Sequence, residues 1–234
     1  MSLITDVKKS DQFMEVLSAF FSRLSSHSRK FLWLAVALLV VAGLVTLAMN
    51  RHTAKLSKAR DALFSAEQAL EAEMKNLGLA DANKKADVDK ILVGSMAQMK
   101  DVAEKFRGTK AAMEAELRIG DIYYDYGESD KAVDWYQKAA EHSSGSFEKA
   151  LALMSMGYSY ENTGKCVEAV NSFEKALALG EESLKGDLLM AEARCYETMK
   201  DFSKARTAYD KILSQLPSTD HAKTAETLKA NLEQ

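Results

Sequence analysis

Residue types that catalyse reactions occur in this sequence, but none has the spacing of a common active site. The stretch from Gly157 to Lys165 is only superficially like a phosphate-binding loop. Six residues separate its glycines where four are required, and Cys166 stands where Ser or Thr should bind magnesium. No nucleophile and base stand at motif spacing, and the four histidines lie far apart, at His27, His52, His142 and His221. We therefore predict that the protein is not an enzyme.

The acidic and cysteine residues lead to the same conclusion. Asp121 and Asp125 lie one helical turn apart, but a solvated helix face is favoured about tenfold over a catalytic pair. Cys166 and Cys195 are too few for a disulfide-dense scaffold and lack the spacing of a zinc site. Stacked helices could bring these two cysteines to one edge, so a disulfide and two unpaired, half-buried thiols both remain open. We expect no metal, no cofactor and no small-molecule substrate.

Composition and charge narrow the class of protein. Of 234 residues, 47% are hydrophobic, yet there are one proline, Pro217, and eleven glycines, too few for the turns of a sandwich or barrel. An all-α protein is therefore predicted. Residues 1–60 hold nine Lys or Arg against three Asp or Glu, whereas residues 61–234 hold 22 against 31. Because the larger part is acidic, binding to nucleic acid is not expected.

Residues 31–49 are an uncharged apolar run of 19 residues. A helix of that length spans roughly 28 Å, close to the ~30 Å hydrocarbon core of a bilayer, so we predict a transmembrane helix. Basic residues flank the run almost equally on both sides, and the positive-inside rule does not decide the topology. Residues 1–30 form an N-terminal amphipathic segment with one apolar helical face, which either lies in the headgroup region or docks against a membrane partner. That face comprises Phe13, Val16, Leu17, Phe20, Phe21 and Leu24.

The next residues, 50–78, are predicted to form a helical stalk. No glycine or proline occurs between Gly43 and Gly78, so the membrane helix can continue outward. A leucine recurs every seven residues, and such a stripe could support self-association. Because the stripe is narrow, packing against the folded domain is favoured instead. Gly78 is expected to break the helix, and 81–87 reads as a short connection within domain 79–234. The leucines are Leu56, Leu63, Leu70 and Leu77.

A pattern recurs three times in domain 79–234, at offsets of 37 and 36 residues. It consists of a small residue, two others, Tyr, eight others, Ala, three others and an aromatic residue. The copies lie within about 113–146, 150–183 and 186–219, and a capping helix is predicted at 220–232. The matching residues are Gly120, Tyr123, Ala132 and Tyr136; Gly157, Tyr160, Ala169 and Phe173; and Ala193, Tyr196, Ala205 and Tyr209.

This pattern predicts helical hairpins. Small residues such as Gly120 let two antiparallel helices approach within about 8–10 Å, and we expect Tyr123 and Tyr136 to fill the space between one hairpin and the next. Gly127 and Gly164 stand where the first helix must stop, as suits a residue that adopts positive φ. The third copy has Lys200 at that place, so its turn is expected to differ. Three stacked hairpins with a helix at each end can bury a shared core.

The repeats resemble the tetratricopeptide repeat family, whose units are pairs of helices of about 34 residues. The resemblance covers about residues 113–219 and implies an α-solenoid. FRGTK at 106–110 is similar to LPSTD at 216–220, which follows the third copy. The resemblance therefore extends before residue 113, and helix 88–106 looks like half a repeat that precedes the array. In such arrays the first helix of each repeat lines the concave side.

That concave side is the best candidate for a binding site. Its free stripe combines apolar and aromatic residues with acids, which would favour basic or amphipathic peptide segments. The alternative is that these residues bind no ligand and only pack against the stalk or stay hydrated. The candidate groove residues are Glu114, Leu117, Asp121, Tyr124, Leu151, Met154, Tyr158, Glu161, Asp187, Met190, Arg194 and Glu197.

The whole layout resembles the bacterial YfgM-type family, an ancillary subunit of the Sec translocon. The resemblance rests on a short N-terminal segment with Phe20 and Phe21, one span, a stalk and a small repeat domain. It implies a single-pass protein of the bacterial inner membrane whose repeats face the periplasm. It also implies a chaperone-like adaptor whose partners are translocon or envelope chaperone components and client peptides. The alternatives are a structural subunit of another envelope or secretion complex and a cytoplasm-facing scaffold.

Overall fold

The computed structural model describes residues 28–77 and 87–232. Within these ranges the chain forms ten α-helices and no strand, which confirms the predicted all-α class. Backbone contacts divide the chain into two compact units, Met1–Ala54 and Lys55–Gln234. Most of the predicted amphipathic segment and of the connection at 81–87 lies outside the described residues. The helices are α1 Ser28–Asn76, α2 Val88–Ile91, α3 Val93–Lys105, α4 Lys110–Asp125, α5 Ser129–His142, α6 Ser146–Asn162, α7 Cys166–Leu177, α8 Glu182–Thr198, α9 Phe202–Gln215 and α10 Asp220–Asn231.

The first unit contains the apolar part of α1. Its large side chains are exposed and do not pack on a core, among them Trp33, Leu39 and Leu44. The Thr46 hydroxyl donates a hydrogen bond to the carbonyl of Ala42 at 2.8 Å, so this polar group is satisfied within the helix, as a hydrocarbon environment demands. By length and composition this helix can cross a membrane or serve as a signal anchor.

The second unit begins with the remainder of α1, the predicted stalk. Four of its residues at heptad spacing, Ala59, Leu63, Ala66 and Leu70, are buried in the same core cluster as Leu92 and Met96. The Glu73 carboxylate also accepts a hydrogen bond from the Ser95 N–H at 2.9 Å, at the start of α3. The stalk therefore packs against the folded domain, as predicted, and Leu63 and Leu70 are not free to form a self-associating seam.

The half repeat before the array is less regular than the predicted helix 88–106. It breaks at Leu92, which has φ −113° and ψ 45° and is fully buried. Glu128 anchors its first turn, because Oε1 accepts a hydrogen bond from the Val88 N–H at 2.8 Å. Asp89 is a second anchor, since it accepts hydrogen bonds from the Tyr123 hydroxyl and from two lysines. These contacts fix α2 on the first repeat.

Each repeat is a helical hairpin: α4 with α5, α6 with α7, and α8 with α9. The glycines permit close contact within a hairpin, because a Cβ added to Gly120 would lie 2.6 Å from the Tyr136 ring. A Cβ on Gly157 would lie 2.3 Å from the Phe173 ring. The Tyr136 ring therefore covers the glycine of its own hairpin, and its expected role between hairpins stays a prediction. Tyr123 does reach beyond its hairpin, to Asp89.

The three turns inside the hairpins share one backbone geometry. Gly127 and Gly164 adopt φ of 79° and 74°, and Lys200 adopts φ 61° at the corresponding place. The expected difference in the third turn is absent, since the hydrogen-bonding pattern around the turn overrides the preference of the residue. The same N–H to carbonyl bond closes each turn, from Glu128 to Tyr123 at 2.8 Å, from Lys165 to Tyr160 at 2.9 Å and from Asp201 to Tyr196 at 2.9 Å.

The helix starts at the two ends of the array are equivalent. The Thr109 hydroxyl accepts a hydrogen bond from Ala112 N–H at 3.2 Å, and the Thr219 hydroxyl accepts one from Ala222 N–H at 3.3 Å. This matches the sequence similarity between 106–110 and 216–220. Helix α10 buries Ala222 and Ala225 on the third repeat and leaves its other residues at least partly exposed. It caps the array, as predicted.

Candidate functional site

The twelve predicted groove residues lie on the first helices of the three repeats, α4, α6 and α8. None of them is buried: Asp187 and Arg194 are exposed, and the other ten are half-buried. Their neighbours on the same helices, such as Ile119 and Leu188, are buried in the core. The stripe is therefore at least partly accessible at each of the twelve positions.

An open pocket of about 600 Å³ lies within this stripe. It joins all three repeats, because Tyr124 comes from α4, Tyr158, Glu161 and Asn162 from α6, and Arg194 from α8. Four of these five lining residues belong to the predicted groove. Asn162 was not predicted; its amide donates a hydrogen bond to the Ser129 hydroxyl at 2.9 Å and so ties the second repeat to the first.

Arg194 and Glu161 form an ion pair in the pocket. The Arg194 guanidinium donates two parallel hydrogen bonds to Glu161, from Nε to Oε1 and from Nη2 to Oε2, both at 2.9 Å. It also lies 6.0 Å from the centre of the Tyr158 ring. The Tyr158 ring packs edge-on against Phe173 at 5.4 Å between ring centres. The ion pair between Arg194 and Glu161 thus links the third repeat to the second.

The second helix of each repeat determines which groove carboxylates are free. Tyr136 donates its hydroxyl to Asp121 Oδ1 at 2.7 Å, and Tyr209 donates to Glu197 Oε1 at 2.6 Å. The equivalent aromatic residue of the middle repeat is Phe173, which has no hydroxyl. Glu161, which corresponds to Glu197, therefore lacks such a donor and pairs with Arg194.

Carboxylates of the groove act on its tyrosines. Burial raises the pKa of Tyr124, and Glu161 raises it further. Burial likewise raises the pKa of Tyr158, and Asp187 adds to this effect. The pKa of Asp125 is also raised, first by burial and then by Asp121. Cationic groups are accordingly favoured beside these rings.

The far end of the groove is partly closed. The His221 ring of the cap helix lies against Gly186, where a Cβ would be 2.7 Å from Nδ1. Its Nε2 contacts Asp187 Oδ1 at 2.9 Å. Asp187 is thus engaged by the cap, whereas Leu151, Met154 and the other apolar members of the stripe remain open to a ligand.

A second pocket, of about 360 Å³, was not anticipated. It is lined by helices α5, α6 and α7 and by none of the twelve predicted residues. Leu153 and Met156 supply its apolar surface, and charged residues such as Glu141 and Lys175 surround them. The spacing of apolar residues on α6 gave no signal for it, because Leu153 and Met156 look like ordinary core positions.

The cysteines and histidines form no reactive site in the described part of the chain. Cys166 and Cys195 are both buried and carry free thiols. Burial raises the pKa of Cys195, and the neighbouring Cys166 thiol raises it further, so Cys195 is a poor nucleophile. His142 contacts the buried Glu116 at 2.8 Å. Within residues 28–77 and 87–232, no three His, Cys, Asp or Glu side chains are grouped as metal ligands.

Comparisons with known proteins agree with this architecture. Two family models for the tetratricopeptide repeat match residues 187–219 and 117–142. A putative kinesin light chain from Podosopora anserina with nearly identical repeats of this type superimposes with a TM-score of 0.52 at 12% identity, over 76% of this chain and 86% of that one. The fold is therefore an α-solenoid of helical hairpins, and two segments of the chain match the tetratricopeptide repeat.

Two curated relatives each match less than half of this chain. A general transcriptional corepressor of Dictyostelium discoideum is 30% identical over 102 residues, which is 44% of this chain and 7% of that protein. A human protein O-mannosyl-transferase is 29% identical over 101 residues, which is 43% of this chain and 11% of that protein. The chain spans a small fraction of these relatives, so their names describe proteins of other overall construction.

Proposed function

We propose that this protein is a membrane-anchored scaffold or chaperone-like adaptor that binds segments of other proteins in the groove of its repeats. The observation that carries the proposal is the open pocket of about 600 Å³ to which all three repeats contribute. Pockets for peptides combine apolar and aromatic contact surface with a few placed polar groups. Tyr124, Tyr158 and Glu161 supply these elements at the centre.

The chemistry of the groove favours basic or amphipathic segments. Leu117, Met154 and Met190 are half-buried and offer adaptable apolar contact. Carboxylates lie beside them, and complementary charge increases the rate of encounter and excludes acidic partners. A groove of this kind suits weak binding to many segments more than tight binding to one.

The proposed location is the bacterial inner membrane, with α1 as the single span and the repeats on the periplasmic side. The support is the resemblance in layout to the YfgM-type family, and it makes the Sec translocon and envelope chaperones the proposed partners. A structural subunit of another envelope or secretion complex would have one stable stoichiometric partner. A cytoplasm-facing scaffold would have the opposite topology.

Topology and binding can be tested in the same cells. Ser218→Cys in a Cys166→Ser, Cys195→Ser background should react with a membrane-impermeant thiol reagent in intact cells. Reaction only after lysis would exclude the periplasmic location. A photo-crosslinking amino acid at Leu117 or Met154 should capture several proteins, whereas one at Val167, exposed in the first turn of α7, should capture far fewer. Equal capture at both places would contradict binding in the groove.

A further inference from the structure

Arg194 lies in the groove and makes contacts that a basic side chain of a ligand could also make. Its guanidinium binds Glu161 through two hydrogen bonds of 2.9 Å and lies over the Tyr158 ring. Among the described residues that line the pocket, Arg194 is the only cationic side chain. The two equivalent positions in the other repeats hold Asp121 and Tyr158, so a cation at this place is particular to the third repeat.

The groups that hold Arg194 would suit any basic side chain. Glu161 is 24% exposed and receives no hydroxyl from Phe173, so its carboxylate needs a cationic or hydrogen-bonding partner. The faces of aromatic rings attract ammonium and guanidinium groups, and Tyr124 and Tyr158 both line the pocket. Further carboxylates, Asp121 and Asp125, increase the attraction for cations on the α4 side.

The ion pair between Arg194 and Glu161 is open to exchange with a ligand. The Arg194 side chain is 46% exposed, so water reaches the pair and salt screens it. The long arginine side chain can move into solvent without disturbing the core, since its neighbour Cys195 carries the packing at this turn of α8.

We propose that the pocket is a subsite for one lysine or arginine side chain of a bound protein segment, and that Arg194 is a built-in competitor for it. In the unliganded protein Arg194 satisfies Glu161; on binding, the ligand's ammonium or guanidinium replaces it there. The competitor lowers affinity for every basic segment and thereby keeps binding weak and reversible. This proposal rests on the proposed function of the groove.

The decisive prediction is that removing a groove residue tightens binding. The full-length chain in uncharged detergent micelles is titrated into a fluorescein-labelled peptide of lysine, leucine and glycine, and Kd is measured by fluorescence anisotropy. Arg194→Gln should lower Kd about fivefold, since the ligand no longer competes with an ion pair and a cation–π contact. Glu161→Gln should raise Kd by a similar factor, and the double variant should bind as weakly as Glu161→Gln.

Two controls separate this effect from changes in net charge or folding. Lys175→Gln removes the same charge from α7 outside the groove and should change Kd less than twofold. Arg194→Lys keeps the competing cation and should bind nearly as the wild type does. Circular dichroism melting curves establish that each variant is folded.

The possible outcomes are distinct. If the wild type binds the lysine peptide and Arg194→Gln binds it no more tightly, Arg194 does not compete with the ligand. The proposed function of the groove would then still stand. If a matched glutamate peptide binds the wild type and Arg194→Gln abolishes that binding, Arg194 is a ligand contact for acidic segments, which also overturns the inference. If neither peptide binds the wild type or Arg194→Gln, both the competitor and the proposed binding of protein segments in the groove are refuted.

Discussion

Glu192 should destabilise the folded protein at neutral pH, and replacing it with methionine should stabilise it. The side chain is 3% exposed, and its Oε2 atom has no hydrogen-bond partner among the described residues. The first and second repeats have Ile119 and Met156 at the equivalent position, both buried. A methionine therefore fits a site that already accepts apolar residues in the same repeat geometry.

The expected gain follows from the cost of burying the Glu192 carboxyl group with its Oε2 atom unpartnered. A buried polar group without a partner costs about 1–3 kcal/mol, so Glu192→Met should increase the free energy of unfolding by about 2 kcal/mol. For a domain of this size that corresponds to a rise in Tm of about 4–8 °C. Thermal unfolding of the full-length chain, followed by circular dichroism at 222 nm, measures the shift. Glu168→Met, an exposed position on α7, is the matched control and should change Tm little.

The dependence on pH provides a second test of the same reasoning. Burial raises the pKa of Glu192 in the folded state, although Lys211 and a hydrogen bond with Tyr196 oppose this. Because the folded pKa lies above the unfolded value near 4.5, the acid costs stability at neutral pH, and the cost disappears as pH falls through the folded pKa. The difference in Tm between Glu192→Met and the wild type should therefore be largest near pH 7 and shrink toward pH 4. A variant that is less stable than the wild type, or a difference independent of pH, would refute the account of Glu192.

Three further changes test the repeat architecture. Lys200→Gly should raise the free energy of unfolding by about 0.5–1 kcal/mol, because lysine is strained at φ 61° and glycine is not, as chemical denaturation can measure. Gly157→Ala should lower it by about 1–3 kcal/mol, since the new Cβ would lie 2.3 Å from the Phe173 ring, and the loss should appear as a lower Tm. Asp89→Asn should cost about 1 kcal/mol by weakening the bond to Lys131. The pKa of Asp89 is lowered chiefly by Lys131, so this contribution should be present above about pH 4 and be lost in more acidic solution, as unfolding at a series of pH values would reveal.

Each of these changes has a control. Lys200→Ala keeps the strain and should not stabilise; equal gains from Ala and Gly would rule out φ as the cause. Gly94→Ala places its Cβ at 3.7 Å from the Glu73 carboxylate, an ordinary contact, and should be nearly neutral. Equal losses at Gly94 and Gly157 would mean that contact with the ring is irrelevant. Asp101→Asn, on an exposed ion pair of 3.9 Å, should cost less than Asp89→Asn.

The repeat architecture was predictable because its signals are local and recur. The offsets of small, tyrosine and alanine residues placed three hairpins, and the similarity of 106–110 to 216–220 located equivalent helix starts. The narrow apolar stripe of the stalk likewise favoured packing on the domain over self-association, and Leu63 and Leu70 are buried there. These predictions succeed because helical periodicity determines which face of each helix is apolar.

Errors arose where neighbouring elements decide the conformation. Lys200 has a low intrinsic preference for positive φ, yet the N–H of Asp201 still bonds to the carbonyl of Tyr196 as in the glycine turns. Leu92 interrupts a helix whose apolar spacing is continuous, so the spacing alone did not indicate the break.

The spacing predicted which residues share a face of the first helices, but not how their side chains pair. The spacing placed all twelve residues on accessible faces of α4, α6 and α8. It gave no indication that Arg194 would bind Glu161 across two repeats, because that contact depends on the offset between stacked hairpins. Nor did it suggest that His142 pairs with Glu116, a glutamate at a position where the other repeats have Leu153 and Leu189.

The most direct test of the central claim is the affinity of the groove after its charge is reversed. The full-length protein and an Asp121→Lys, Glu161→Lys double variant, each confirmed to be folded, are titrated against the lysine peptide by fluorescence anisotropy. If the groove binds basic segments through its carboxylates, the double variant should bind at least tenfold more weakly. An unchanged Kd would contradict the claim and would show that binding, if any, occurs elsewhere on the protein.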